Sequence, residues 1–258
     1  MDTQLYHIVL LCVAAFFAGF VDAIVGGGGL IQTPASLIIL GGHPVASVIA
    51  TVKIPSFSGT LFAARQYVKK VTINWKLIAL TCTVAFFASY AGSQLLLYVS
   101  NAFMKPVLLV VLTLVAIYTF RKKDFGQQSG SQIKEEQLFL RSAIISAIVG
   151  FYDGFIGPGT GSFFILAFIS FLHLDFLQAS AHAKLANLAT NLGSITLFII
   201  SGKILWAFAI PMAVSNAIGG IIGARLAIAK GNRFIRVFFL IVVIGTLIRF
   251  SYDVFIKR

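Results

Sequence analysis

Charge is scarce in this chain. Only 11% of its residues are charged, against roughly 25% in an ordinary soluble domain, which excludes a water-solvated surface over most of the molecule. Acidic residues are scarcer still, 8 against 20 Lys and Arg. The net charge of +12 is nonetheless no nucleic-acid footprint, because the basic residues gather in short connections between apolar runs. That distribution is the positive-inside bias of a membrane protein. The two cysteines, Cys12 and Cys82, lie within apolar runs without metal-ligand spacing, so they read as packing residues. Residues Met1 to His7 contain no Lys or Arg, so the basic start of a cleavable signal peptide is missing. The first helix is expected to stay in the mature protein. Nothing in the chain calls for a metal, a cofactor or a catalytic residue, and no enzyme activity is expected.

What the chain has is apolar length. Leu5–Val25, Ile73–Val99, Phe103–Phe120, Phe176–Ile200, Ile204–Ala229 and Phe234–Ile256 each approach the roughly 20 residues that a helix needs to cross a bilayer. The expected fold is all-α, a polytopic integral membrane protein whose constant partner is the lipid bilayer.

The longest hydrophilic stretch, Arg121 to Glu136, falls at the midpoint and raises the question of an internal repeat. One register answers it. Asp22 and Asp153 lie 131 residues apart (153 − 22), and so do Lys53 and Lys184 (184 − 53). In the same register Gly19-Phe20 matches Gly150-Phe151, Gly26 and Gly28 match Gly157 and Gly159, and Trp75 matches Trp206. Apolar runs align by chance, but both tryptophans and both pairs of intramembrane charges do not. The chain therefore divides into a first membrane repeat over 1–126, a cytoplasmic linker over 127–137 and a second repeat over 138–258.

Loop charges orient the repeats. Arg65, Lys69, Lys70 and Lys76 follow the Lys53 segment, whereas the matching loop of the second half holds only Lys203. Conversely, Lys105 stands alone near Asn101, while its counterpart region holds Arg225, Lys230, Arg233 and Arg236. The positive side has changed over, as inverted-topology repeats require. With Arg65–Lys76 and Arg121–Arg141 cytoplasmic, both termini face outward, although Lys257-Arg258 pull the other way. Each half has about five helical segments. The second, Leu30–Leu40, is only about 16 Å long as a helix, too short to cross. It follows Gly26-Gly27-Gly28-Gly29, and its counterpart follows Gly157-Pro158-Gly159-Thr160-Gly161. Short helices after Gly and Pro at matching points of two halves point to a transporter's binding site.

Ionisable residues at membrane depth cost roughly 2.5–3.5 kcal/mol each on insertion scales and mark substrate or ion paths. Lys53, Ser56 and Thr60 are spaced i, i+3 and i+7, which puts them on one helix face; Lys184, Asn187 and Asn191 repeat the spacing. The two stripes are candidate substrate ligands, with interhelical hydrogen bonding as the structural alternative. Gly27, Gly28 and Gly159 are candidates because bare backbone N–H groups and a helix N-terminus suit an anion. Asp22 and Asp153 either neutralise the lysines or gate the path and carry a coupling proton. His182, opposite Thr51 in the repeat, is a further candidate proton carrier or a packing residue.

At Ala18-Gly-Phe-Val-Asp-Ala-Ile-Val-Gly-Gly-Gly-Gly-Leu30 with Pro34, at Gly150 to Ser162, and at Ala50-Thr-Val-Lys53 and Ala181-His-Ala-Lys184, the sequence resembles the TauE/SafE sulfite exporter family. The resemblance covers essentially the whole chain. It implies a bacterial inner-membrane transporter of sulfite, sulfonates or related organosulfur anions, driven by an ion gradient. Many relatives carry Gly-Thr-Ser where this chain has a lysine in each half, so it resembles a lysine-containing subgroup. The leading expectation is alternating access around a midplane site with paired lysines. A passive anion channel at the same site and, remotely, an intramembrane aspartyl protease built on Asp22 and Asp153 are the alternatives. Association as a homodimer is left open.

Overall fold

The computed structural model describes residues 3–100 and 134–255, with side chains as far as residue 231. Its helices are α1 (Thr3–Val25), α2 (Gly29–Ile39), α3 (Val45–Val68), α4 (Trp75–Tyr98), α5 (Glu135–Phe155), α6 (Thr160–Leu172), α7 (Phe176–Ile200) and α8 (Trp206–Phe255). Gly231, at φ 70° and ψ −167°, breaks α8 into two arms. Among the described residues six helices, counting the first arm of α8 as one, are long and apolar enough to cross a membrane, while α2 and α6, of 11 and 13 residues, are not. The chain is an all-helical, multi-pass membrane protein, and no strand occurs among the described residues. The segment expected over Phe103–Phe120 and the linker as far as residue 133 lie outside the described residues. Residues 135–137, assigned to the linker by composition, open α5, where Glu135 and Glu136 complement the positive helix N-terminus.

Local chemistry explains the boundaries. The Asn74 side chain accepts from Leu77 N–H at 3.1 Å and starts α4; the Asp175 side chain accepts from Gln178 N–H at 2.8 Å and starts α7. The 131-residue register reappears in the coordinates: α2, α3 and α4 begin at 29, 45 and 75, and α6, α7 and α8 begin at 160, 176 and 206.

The packing does not follow the order of the chain. The first arm of α8 lies along α1 and α3, and α4 lies along α5 and α7. Glycine permits the close approach. A Cβ at Gly219 or Gly223 would run into the α1 backbone at Phe16 or Phe20, and one at Gly92 or Gly154 would run into the facing helix of the α4–α5 pair. Two bundles result: α1, α2 and α3 with the first arm of α8, and α4 with α5, α6 and α7. Each bundle holds one helix from the other half of the sequence. The seam between them runs chiefly along α3 and α7, the helices that carry the lysines.

Candidate functional site

The two glycine breaks cross at this seam. Gly26 (φ 76°), Gly157 (φ 91°) and Gly159 (φ 84°) hold left-handed backbone that other residues adopt only with strain, which is why these turns need glycine. Ser162 N–H donates to the Gly26 carbonyl at 3.0 Å, and Ser162 Oγ donates to the Val25 carbonyl at 2.9 Å. A Cβ on Gly161 would come within 2.6 Å of Gly26 Cα, so the two breaks touch backbone to backbone. Tyr152 OH on the Pro158 carbonyl and Thr160 Oγ1 on the Gly157 carbonyl, both at 2.6 Å, brace the second break. The starts of α2 and α6 meet at one place, each bringing the positive end of a helix dipole.

Two ion pairs flank the crossing, and both join the two bundles. Lys53 Nζ on α3 donates to Asp153 Oδ2 and to the Asp153 carbonyl on α5, each at 2.7 Å. Lys184 Nζ on α7 donates to Asp22 Oδ2 on α1 at 2.7 Å and also to the Asp22 carbonyl. Each lysine of one half therefore holds the aspartate of the other in the same two-point grip. A desolvated ion pair survives only with such added hydrogen bonds, because removing two charges from water costs several kcal/mol per ion. The surroundings of the pairs differ. The Asp153 side chain is 4% exposed, that of Asp22 16%, and Asp22 also receives long contacts of 3.4 Å from Thr60 Oγ1 and Gly28 N–H.

Between the pairs lies a cavity of about 40 Å³, room for about three water-sized groups. Its polar wall combines Lys53, Ser56 and Thr60 from α3 with Asn187 and Asn191 from α7, and both aspartates reach it. Gly26, Gly29 and Thr33 contribute from the first break and α2; Gly157, Gly159, Thr160 and Gly161 contribute from the second. Asn191 Nδ2 donates to the Asn187 carbonyl at 2.9 Å, fixing the asparagine stripe to its own helix.

Most of the residues expected from the sequence meet here. Lys184 does not: its side chain is 1% exposed and lies behind the wall, closed off by Asp22. Gly27 and Gly28 also stand off the cavity, their places taken by Gly26 and Gly29. His182 lies apart from it, with Nδ1 2.8 Å from the Gln178 carbonyl of its own helix, an acceptor to which that nitrogen must donate. Each aspartate carboxylate holds a lysine, an arrangement unlike two carboxylates sharing one proton in a protease dyad. Thr33 and Thr160 carried no signal beyond standing one turn or less past the glycines. A link outside the cavity also went unread: Asn216 Nδ2 on α8 donates to Gln32 Oε1 on α2 at 3.0 Å, both buried, with Asn216 packed against Gly19 and Gly59.

Comparison with known proteins agrees with this architecture. The chain is 32% identical over 246 residues to "Probable membrane transporter protein YfcA" of Escherichia coli (strain K12), covering 95% of this chain and 89% of that one. It is 34% identical over 236 residues to a "Probable membrane transporter protein" of Haemophilus influenzae, covering 92% and 91%. It is 33% identical over 252 residues to "Probable membrane transporter protein ORF9" of Sinorhizobium sp, covering 98% and 95%. No solved structure matches. The profile of the family described as "Sulfite exporter TauE/SafE" matches residues 11–250, and this membrane transporter chain belongs to that family.

Proposed function

We propose that the protein is a secondary transporter of a small anion, with sulfite, a sulfonate or a related organosulfur anion as its substrate, in a bacterial inner membrane. The observation that carries this reading is the cavity at the crossed helix breaks, bounded by ion pairs that tie one bundle to the other. Two lysines and two aspartates cancel in formal charge. The starts of α2 and α6 add about half a positive charge each, close to one in all, which complements a monoanion. A dianion would arrive with a proton. The hydroxyls of Ser56 and Thr33 and the remaining amide N–H groups of Asn187 and Asn191 supply the hydrogen bonds that an oxyanion's remaining oxygens require.

Transport by alternating access then moves the two bundles, not the two halves of the sequence, against each other. The seam along α3 and α7 is the sliding surface, and the backbone contact at Gly26 and Gly161 is the pivot. The changeover of loop charges supports an inverted relation between repeats, so that each ion pair guards one side. The incoming anion competes with Asp153 for Lys53. Asp22, the more exposed carboxylate, takes the coupling proton from the cavity, where Lys184 of α7, Thr60 of α3 and the Gly28 N–H contact it.

Counterflow in proteoliposomes tests the reading. Vesicles preloaded with sulfite, thiosulfate, sulfate, a sulfonate or a small carboxylate are expected to accelerate uptake of the same labelled anion for at least one sulfur oxyanion. Flux without acceleration by internal anion would make the protein a channel, and no flux with any of these anions would sink the proposal.

A further inference from the structure

Away from the seam, α5 and α6 leave an open groove of about 370 Å³ with wholly apolar walls, formed by Ile144, Ile148 and Val149 of α5 and Ala167 and Phe171 of α6. Arg141 closes one end. Ile144, Ile148 and Phe171 are 50%, 66% and 55% exposed, so the groove opens on the outer face of the bundle, where a membrane protein meets lipid. Arg141 lies twelve residues before Asp153 on α5, roughly 18 Å along the axis, and therefore near the membrane boundary when the ion pairs sit at mid-depth. From Arg141 to Val149 the groove follows α5 inward for roughly 12 Å.

The guanidinium is incompletely used. Arg141 Nη1 donates to the Phe171 carbonyl at 3.0 Å, near the end of α6, and neither ion pair among the described residues involves it. Of the five N–H donors of an arginine, the rest of the fork stays available beside an apolar trough. A positive fork at the boundary with a greasy channel running inward matches one chemistry: a phosphate at the surface joined to an acyl chain that descends toward the midplane. Basic pockets between transmembrane helices bind anionic lipid head groups in this way.

We infer that the α5–α6 groove is a binding site for an anionic phospholipid, its phosphate on Arg141 and an acyl chain along Ile144, Ile148 and Phe171. A second copy of the chain fits the face less well. Across a two-fold axis along the membrane normal, the same patch meets itself and brings the two Arg141 side chains together in one leaflet, like charge beside like.

Native mass spectrometry and thermal unfolding of detergent-purified protein, titrated with phosphatidylglycerol or phosphatidylcholine, test the site without any transport readout. Wild type is expected to retain phosphatidylglycerol in preference to phosphatidylcholine and to melt higher with it. Arg141→Gln should weaken phosphatidylglycerol retention about fivefold and erase the preference, whereas Arg141→Lys keeps most of it. Ile148→Trp, a change at an exposed position that fills the groove, should reduce retention of both lipids. Equal retention of the two lipids by wild type and Arg141→Gln would overturn the inference. So would a dimer that excludes lipid and is broken by Ile148→Trp.

Discussion

The Lys53–Asp153 and Lys184–Asp22 pairs share residue types, repeat register, two-point grip and Nζ–Oδ2 distance, yet they occupy different surroundings. Lys53 and Asp153 both line the cavity. In the other pair only the aspartate does, while Lys184 is enclosed behind it. The two pairs share their chemistry, and packing gives them different access. One register thus holds one pair whose members both reach the cavity and another whose carboxylate alone does, with the same charged residues.

The sharpest way to break this comparison is to strand each aspartate in turn. Lys53→Ala leaves the Asp153 carboxylate buried without a cation, expected to cost about 3–5 kcal/mol. Lys184→Ala should cost less, because Asp22 is four times more exposed and keeps Thr60 and Gly28 as partners. Unfolding midpoints in mild detergent check the order, and equal losses would erase the distinction between the pairs. A smaller effect is expected at the pivot. Gly161→Ala drives a methyl into Gly26 and should destabilise by about 1–3 kcal/mol, whereas Gly42→Ala, with open space around it, should be silent in the same melt. Thr60→Ala removes one weak hydrogen bond from Asp22, a loss of about 1 kcal/mol or less, and should change the pH dependence of flux more than the melting point. His182→Ala should leave that pH dependence unchanged, since the ring does not reach the cavity; altered coupling would return His182 to the proton path.

Much of this was legible in the residues. Apolar length announced the long helices, and the glycine runs announced the breaks that start α2 and α6. The 3.6-residue period placed Lys53, Ser56 and Thr60 on one face, and Asn187 and Asn191 on another, before any coordinates. These are local properties of a helix or turn, and local chemistry decides them. Partner choice is not local. Nothing in the repeat says that Lys53 takes Asp153 rather than Asp22, because both aspartates stand at the same place in the register, each two residues after the phenylalanine of a Gly-Phe pair. The exchange of α4 and α8 between bundles was hidden for the same reason, since small residues such as Gly92 and Gly223 mark close packing without naming the helix that approaches. Gln32 and Asn216 were missed because neither has a polar counterpart at the 131-residue offset, where Phe163 and Ala85 stand, and only their meeting gives them meaning.

The central claim is that the anion occupies the cavity beside the Lys53–Asp153 pair. Removing that pair as a unit, with Lys53→Met and Asp153→Leu together, takes away its charges without stranding either one, a replacement that costs a fold little. Counterflow of the anion that wild type exchanges fastest, measured on this double variant after its melting point is shown to hold, is the direct test. The account predicts at least a tenfold loss of exchange in a folded protein, and exchange at the wild-type rate would contradict it.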